Sequence, residues 1–323
     1  MSLRISVVIP TYKRPNLLMK CLSALANQDL GKENFEVLVV SDGPDAVNRT
    51  LIGDWNSKHL LNLSYLETAE KKGPAAARNL GWQSASAPLI AFTDDDCLPA
   101  MGWLTALLEQ YAGEDLLAMT GFTRVPLSDR PTDFELNTSH LQRASFITAN
   151  CACTRKALRF VKGFDERFQS AWREDSDLEF KLICNQIPIR KVREAMVVHP
   201  VREAVWGVSL KEQKKGLYDV LLYQKFPDLY RQHIQSSPLW IYYLINSLWL
   251  LFFYAVATGN PLMRARASLA LTALIALFAY KRLKRTRKSP SHTLEMIVTS
   301  AIIPTLSVFW RIYGMLKFRK WLL

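Results

Sequence analysis

Short apolar runs alternate with helix-spaced apolar residues along the first hundred positions. Ile5-Ser6-Val7-Val8-Ile9 predicts a buried strand stopped by Pro10. Leu17, Leu18, Cys21, Leu22 and Leu25 then recur at helical spacing. Phe35–Val40 predicts a second strand, ending at the turn signal Ser41-Asp42-Gly43-Pro44. A weaker strand at Leu63–Leu66 and a helix through Ala75–Ala85 lead to a third strong run, Leu89–Thr93. Strands separated by helices of this length predict an α/β fold, with a mostly parallel sheet flanked by helices and joined by right-handed crossovers. Ligands of such Rossmann-like sheets bind beyond the carboxyl ends of the strands. Those ends carry Pro10-Thr11-Tyr12, Asp42 and Asp94-Asp95-Asp96.

The pattern changes near residue 235, dividing the chain into a front domain, 1–235, and a helical, membrane-associated region, 236–323. Gln232 to Met263 contains no Lys, Arg, Asp or Glu, and 238–258 is long enough to cross a ~30 Å hydrocarbon core. Residues 267–280 also read as a span, provided that the flanking Arg266 and Lys281 snorkel. Residues 296–316, interrupted by Pro304 and Arg311, predict either a span or a re-entrant or interfacial helix. Charge sharpens the division. Residues 237–323 hold twelve Lys/Arg and one acid, Glu295, whereas the first 236 residues hold 29 Lys/Arg and 28 Asp/Glu. A near-neutral front joined to a basic, apolar tail points to membrane lipids and away from nucleic acid as partner.

Lys281–Lys288 packs six cations into eight positions. Such a loop stays on the cytoplasmic side and attracts anionic headgroups by about 1 kcal/mol per cation. Met1–Arg4 leads directly into Ile5–Ile9, which is too short and wrongly flanked for a secretory signal. The expectation is a multi-pass protein of the cell membrane with its front domain on the cytoplasmic face. Spans 238–258 and 267–280 then form an out-and-back hairpin, and Lys317, Arg319 and Lys320 remain inside. Five unpaired-looking cysteines fit reduced thiols in that compartment, with Cys151 and Cys153 on one face of a strand.

Candidate chemistry gathers in two acidic clusters. Three adjacent carboxylates at a strand end, Asp94-Asp95-Asp96, are costly unless a cation neutralises them. Asp94 and Asp96 point the same way in an extended segment, and oxygen ligands suit Mg²⁺ or Mn²⁺. The alternative is a solvated acidic turn. His199, closing the run Met196-Val197-Val198, is a candidate third metal ligand or a strand-end histidine. In Arg173-Glu174-Asp175-Ser176-Asp177, Ser176 and Glu179 can form a capping box. The same position suits Asp175 as a general base. Lys71, Lys72 and Arg78 can face a diphosphate or be exposed helix charges.

In order along roughly residues 4–235, these segments resemble a family 2 glycosyltransferase of the GT-A fold. The resemblance rests on Ile5–Arg14, Glu36–Gly43, Gly73–Gly81, Asp94–Asp96, Gly163-Phe164-Asp165-Glu166 and Glu174-Asp175-Ser176-Asp177-Leu178. It implies a nucleotide-sugar site made by Pro10, Thr11, Tyr12, Arg14, Asp42, Arg78, Asp94 and Asp95, with Asp42 reading the base. It implies a metal at Asp94 and Asp96, Asp175 as catalytic base, and an acceptor side with Asn150, Trp172, Arg173 and Glu174. Two positions depart from the family pattern: Trp172-Arg173 replaces small residues, and Ser41 replaces the first acid of an Asp-Asp-Gly turn. The implied activity is inverting, metal-dependent transfer from a nucleotide-diphosphate sugar to a hydroxyl of a lipid-linked or growing glycan. Two rivals are a sugar-nucleotide-forming nucleotidyltransferase and a non-catalytic membrane protein with a GT-A-like binding domain. The first calls for a Gly-rich N-terminal loop, and Pro10–Arg14 has no Gly. The second is disfavoured by the intact acids.

Overall fold

The computed structural model describes residues 3–57 and 61–319, so Met1, Ser2 and Lys320 lie outside the described residues. The chain forms two compact units: residues up to 126 together with 139–201, and residues 127–138 together with those from 202 onward.

The first unit opens with β1 (Ile5–Thr11), α1 (Pro15–Ala26), β2 (Phe35–Ser41), α2 (Ala46–Asn56) and β3 (Leu63–Glu67). It continues with α3 (Pro74–Ser84), β4 (Leu89–Phe92), β5 (Leu98–Pro99), α4 (Trp103–Glu109) and β6 (Ala118–Arg124). The chain then makes a helix α5 (Asp133–Ser139), which up to Thr138 belongs to the second unit, and returns to the first with β7 (Cys151–Thr154), α6 (Arg155–Phe160), α7 (Glu174–Cys184) and β8 (Ile189–Val198). The strands make one sheet in the order β3-β2-β1-β4-β7-β6-β8-β5. β1 to β4 are mutually parallel, β7 is antiparallel to both neighbours, and β8 runs parallel to β6.

Period-two alternation divides the strand side chains between two faces. Ile5, Val7, Ile9, Val37 and Val39 pack on one side with α1 and α4, through Leu18, Leu22, Trp103 and Leu107. Val8, Leu38, Val40, Ile90 and Phe92 pack on the other with α3, α6 and α7. Cys151 and Cys153 share this second face, as expected from their spacing. The sequence expectation that Pro10 stops β1 is corrected, because the strand runs on to Thr11 with Pro10 opposite Val40. β4 pairs with β1 only as far as Val8, so beyond that point one edge of β1 is open. A missing N–H is tolerated there.

The second unit contains α8 (Val208–Glu212), α9 (Gly216–Lys225), α10 (Pro227–His233), α11 (Trp240–Ala257), α12 (Pro261–Leu283) and α13 (Pro290–Phe318). The last three are long and apolar enough to cross a membrane. α12 extends well beyond the fourteen uncharged residues marked in the sequence, and its 23 residues reach about 34 Å. Tyr242 meets Phe278 at 5.5 Å between ring centroids, placing the start of α11 beside the end of α12. α13 lies along α8 and α9. Gly207 N donates to Glu295 Oε1 at 2.7 Å, Lys214 Nζ sits 5.7 Å from the Trp310 ring, and Gly314 abuts the Leu217 backbone.

The six-cation cluster is not wholly a surface loop. Lys281 and Arg282 belong to the last turn of α12, and Arg282 turns inward. Its guanidinium donates to Asp133 Oδ2 at 2.7 Å, Thr299 Oγ1 at 2.7 Å and Ser300 Oγ at 3.1 Å.

Candidate active site

The carboxyl ends of β1, β2 and β4 converge with the start of α7 and the end of β8. Asp95, 2% exposed, accepts from Thr11 Oγ1 at 2.8 Å and Arg14 at 3.2 Å, so it clamps the loop after β1 from beneath. Burial pushes its carboxyl up to about 6, with Asp96 and Asp94 adding to the effect and Arg14 opposing it. The Tyr12 ring above that loop lies 4.0 Å from the Lys71 ammonium and 5.3 Å from that of Lys13. Asp42 Oδ1 accepts the backbone N–H groups of Lys72 at 2.7 Å and Gly73 at 2.8 Å, which ties the end of β2 to the entrance of α3. Gly73 has φ +101°, and a Cβ there would come within 2.6 Å of the Gln169 backbone. Only glycine suits that turn.

Arg78 joins the two acidic clusters. It emerges from α3 into the interior, 2% exposed, and donates to Asp94 Oδ1 at 2.7 Å and Glu174 Oε1 at 3.1 Å. Burial opposes its charge, but the two carboxylates more than offset this and raise the guanidinium pKa. Both terminal nitrogens, expected near the nucleotide, are thus engaged with protein carboxylates. The neighbouring Asn79, which sequence reasoning passed over, fixes the Gly163–Glu166 turn. Its Oδ1 accepts from Phe164 N at 2.9 Å and its Nδ2 donates to Phe164 O at 2.9 Å.

At α7 the capping-box reading is corrected. The helix starts at Glu174, three residues earlier than a Ser176 cap would set it, and its N-cap is Arg173, with φ 74° and no side-chain capping bond. This left-handed backbone is strained for a non-glycine residue. It delivers Glu174 and Asp175 to the first turn, where the helix dipole favours negative charge. Asp175 Oδ1 accepts Ser176 N at 2.7 Å, while Oδ2 has no hydrogen bond among the described residues. Burial raises the Asp175 pKa, against the pull of Ser176 and Arg173. Glu174 is raised as well, by burial first and by Asp175 next.

The short β5 pairs with the end of β8, Leu98 opposite Val198, and so brings His199 back to the acidic triplet. His199 Nε2 lies 3.7 Å from Asp96 Oδ1. Ligand atoms of Asp94, Asp96, Cys97 and His199 all fall within 4.8 Å of one another. Opposite ligands of an octahedral ion at ~2.1 Å are about 4.2 Å apart, so this set has the size of a single divalent site. Cys97 follows the triplet directly, yet sequence reasoning did not include it. A soft thiol is a poor ligand for Mg²⁺ or Mn²⁺, which leaves two carboxylates and an imidazole as the better-matched donors.

The family profile for glycosyl transferase family 2 matches residues 6–168, half of the chain. The chain belongs to glycosyl transferase family 2. Among curated relatives of this family 2 chain, validoxylamine A glucosyltransferase of Streptomyces hygroscopicus subsp. limoneus is 28% identical over 247 residues, covering 65% of this chain and 52% of its own. Escherichia coli chondroitin synthase is 25% identical over 280 residues, covering 73% of this chain and 40% of its own. The chain spans about half the length of the curated relatives it matches. A mannosyltransferase from Pyrobaculum calidifontis, solved with GDP-Man and Mn²⁺, superposes with TM-score 0.62 at 19% identity, covering 96% of this chain and 88% of that one. Staphylococcus aureus TarS with UDP-GlcNAc gives TM-score 0.54 at 16% identity, covering 99% and 93%. These likenesses establish the GT-A fold expected from the sequence.

Two acceptor-side expectations of the family resemblance have distinct placements. Asn150 is fully buried in the frame of the sheet. Its amide accepts from Trp103 Nε1 at 2.9 Å and donates to Phe122 O at 3.0 Å and Ala195 O at 2.9 Å, where the pairing of β6 and β8 shifts register. Trp172 is 37% exposed, with the Arg173 guanidinium 4.6 Å from its ring.

Arg78→Met is expected to destabilise this family 2 fold by about 3–5 kcal/mol, the cost of breaking a buried ion pair from one side. The loss should grow as pH rises, because Glu174 left without its counterion is tolerated only when protonated. Chemical denaturation at two pH values checks both statements. Arg78→Lys should recover little, since one ammonium cannot reproduce a planar fork directed at two carboxylates.

Proposed function

We propose that this chain is a membrane-associated, divalent-metal-dependent, inverting hexosyltransferase. It would move a sugar from a nucleotide-diphosphate donor to a hydroxyl of a lipid-linked or growing glycan. The observation that carries the reading is the double contact of Arg78 with Asp94 and Glu174, which puts a metal-binding carboxylate and the base-bearing turn of α7 in one rigid arrangement. A nucleotidyltransferase or a bare binding module has no need of a base held at that position.

In this reading Asp94, Asp96 and His199 hold Mg²⁺ or Mn²⁺, whose contribution is to offset charge on the departing diphosphate. Thr11, Tyr12 and Arg14, set by Asp95, form the nucleotide loop, and Lys71 beside Tyr12 supplies a cation for the diphosphate. Asp42 organises the Lys72–Gly73 turn that borders it. Asp175 Oδ2 takes the proton of the acceptor hydroxyl as the oxygen attacks the anomeric carbon. A single displacement from the face opposite the diphosphate inverts that carbon. Arg78 and Glu174 are positioning residues, and Trp172 offers the acceptor an exposed aromatic face.

Membrane association is supported by α11, α12 and α13. α11 and α12 suit an out-and-back hairpin that begins and ends on the cytoplasmic face. α13 suits an interfacial helix, because from Glu295 to Gly314 it follows α8, the 213–215 turn and α9, a stretch that carries Lys211, Glu212, Lys214 and Lys215. The test is release of free nucleotide diphosphate by the detergent-solubilised chain across a panel of sugar nucleotides, with and without EDTA. Metal-dependent, acceptor-stimulated release with one donor is expected. No release from any donor, or release indifferent to EDTA, would overturn the reading.

A further inference from the structure

The second unit buries an arginine that has no acid to answer it. Arg311 on α13 is only 9% exposed, and its one hydrogen bond among the described residues is from Nη2 to the neutral amide oxygen of Gln235 at 2.7 Å. No carboxylate pairs with it among the described residues, in contrast to Arg282, which has Asp133. A guanidinium carries five N–H donors, and leaving a buried cation uncompensated is expensive. On an apolar helix such a residue calls for a partner.

The partner's place is visible. Arg311 lines a small, partly open pocket together with Arg231, Gln235, Ser236, Ser237 and Tyr243. No Asp or Glu lines it. Arg231 donates to Tyr223 Oη at 2.9 Å and has no acidic partner among the described residues. Two arginines and two serines lining one cavity offer a donor set for a phosphate group, which accepts planar, charge-assisted hydrogen bonds.

The setting selects the source of that phosphate. Pro238 borders the pocket shortly before α11, Trp240 pairs with Tyr243, which lines it, and Trp310 and Tyr313 form a second aromatic pair on the helix that carries Arg311. Aromatic residues of this kind collect at the level of lipid headgroups. We propose that the pocket binds the phosphate of an anionic membrane lipid, with Arg311 and Arg231 as its ligands. This inference rests on the membrane association proposed above and assigns a specific headgroup site to it, separate from the diffuse attraction of the exposed cations between Lys281 and Lys288.

The full chain in phosphatidylcholine nanodiscs, titrated with pyrene-labelled phosphatidic acid, tests this. Arg311→Gln and Arg231→Gln should each weaken phosphatidic acid binding about tenfold, the size of a lost charge-assisted contact. Lys284→Gln, in the exposed cluster, should weaken it much less. Arg231 is exposed, so its variant remains informative if Arg311→Gln fails to fold. Unchanged affinity in Arg231→Gln, or equal losses in Lys284→Gln and Arg231→Gln, would overturn the proposal. Displacement of the labelled lipid by millimolar inorganic phosphate would overturn the lipid as occupant; resistance to phosphate supports it. A chain that does not enter phosphatidylcholine discs at all would refute membrane association itself, whereas a chain that enters them without preferring phosphatidic acid refutes only this site.

Discussion

Replacing Asp175 with Asn is expected to lower kcat about 10³-fold while leaving the Kd for the donor sugar nucleotide unchanged, within the range that a positioned base contributes. Asn keeps the size of the side chain and can still accept the Ser176 N–H, so the strained first turn of α7 survives. What it loses is proton affinity at Oδ2, the oxygen with no protein partner. The pH profile carries a second signature. Burial raises the Asp175 pKa above the ordinary carboxylate range, so the active, ionised base disappears as pH falls through that raised value. The acid limb of kcat/KM should therefore lie higher in pH than for a surface aspartate, and the residual rate of the variant should lack it. Equal losses in donor binding and turnover would show that the residue serves the architecture of α7 and not proton transfer.

Asp96→Asn is expected to remove nearly all metal-stimulated turnover, about 10²–10⁴-fold if the ion supplies several kcal/mol of charge stabilisation. Stability should not suffer. Asp94, Asp95 and Asp96 crowd three acids at the end of β4, so neutralising one relieves repulsion, and the melting temperature without metal should hold or rise. The same variant should lose the increase in melting temperature that Mn²⁺ gives the parent chain. Calorimetry with and without Mn²⁺, run beside the activity assay, reads both. Retention of most metal-stimulated activity would eliminate Asp96 as a ligand.

The parallel half of the sheet was legible because β1, β2 and β4 are continuous apolar runs buried on both faces, the pattern that parallel strands require. The other half was not. β6 and β8 mix exposed and buried positions, and β5 has only two residues, Leu98 and Pro99, so no period could be read. The acidic triplet stands out by charge crowding, whereas Asp175 is singled out by the family resemblance. Their connection through Arg78 was not legible, since residues 78 and 174 are neighbours only after folding. Ser176 misleads for a local reason: S-x-x-E marks a cap in sequence, yet Arg173, held in a left-handed conformation, takes the cap three residues ahead of the position it implies. Asn150 was assigned to the acceptor from its motif, whereas its packing against Trp103 and Ala195 depends on a register shift that no local pattern encodes.

The stretch 127–138 is made long before the residues that secure it. Asp133 leaves the ribosome 149 residues ahead of Arg282, an interval of roughly 7–30 s at 5–20 residues per second. Through that interval its carboxylate awaits a helix not yet synthesised. The first unit, interrupted at this stretch, therefore cannot be completed as an uninterrupted run of chain. A fragment ended at residue 235 would leave Asp133 to water and would expose the faces of α8 and α9 that α13 covers, so it should be less soluble than the full chain in detergent.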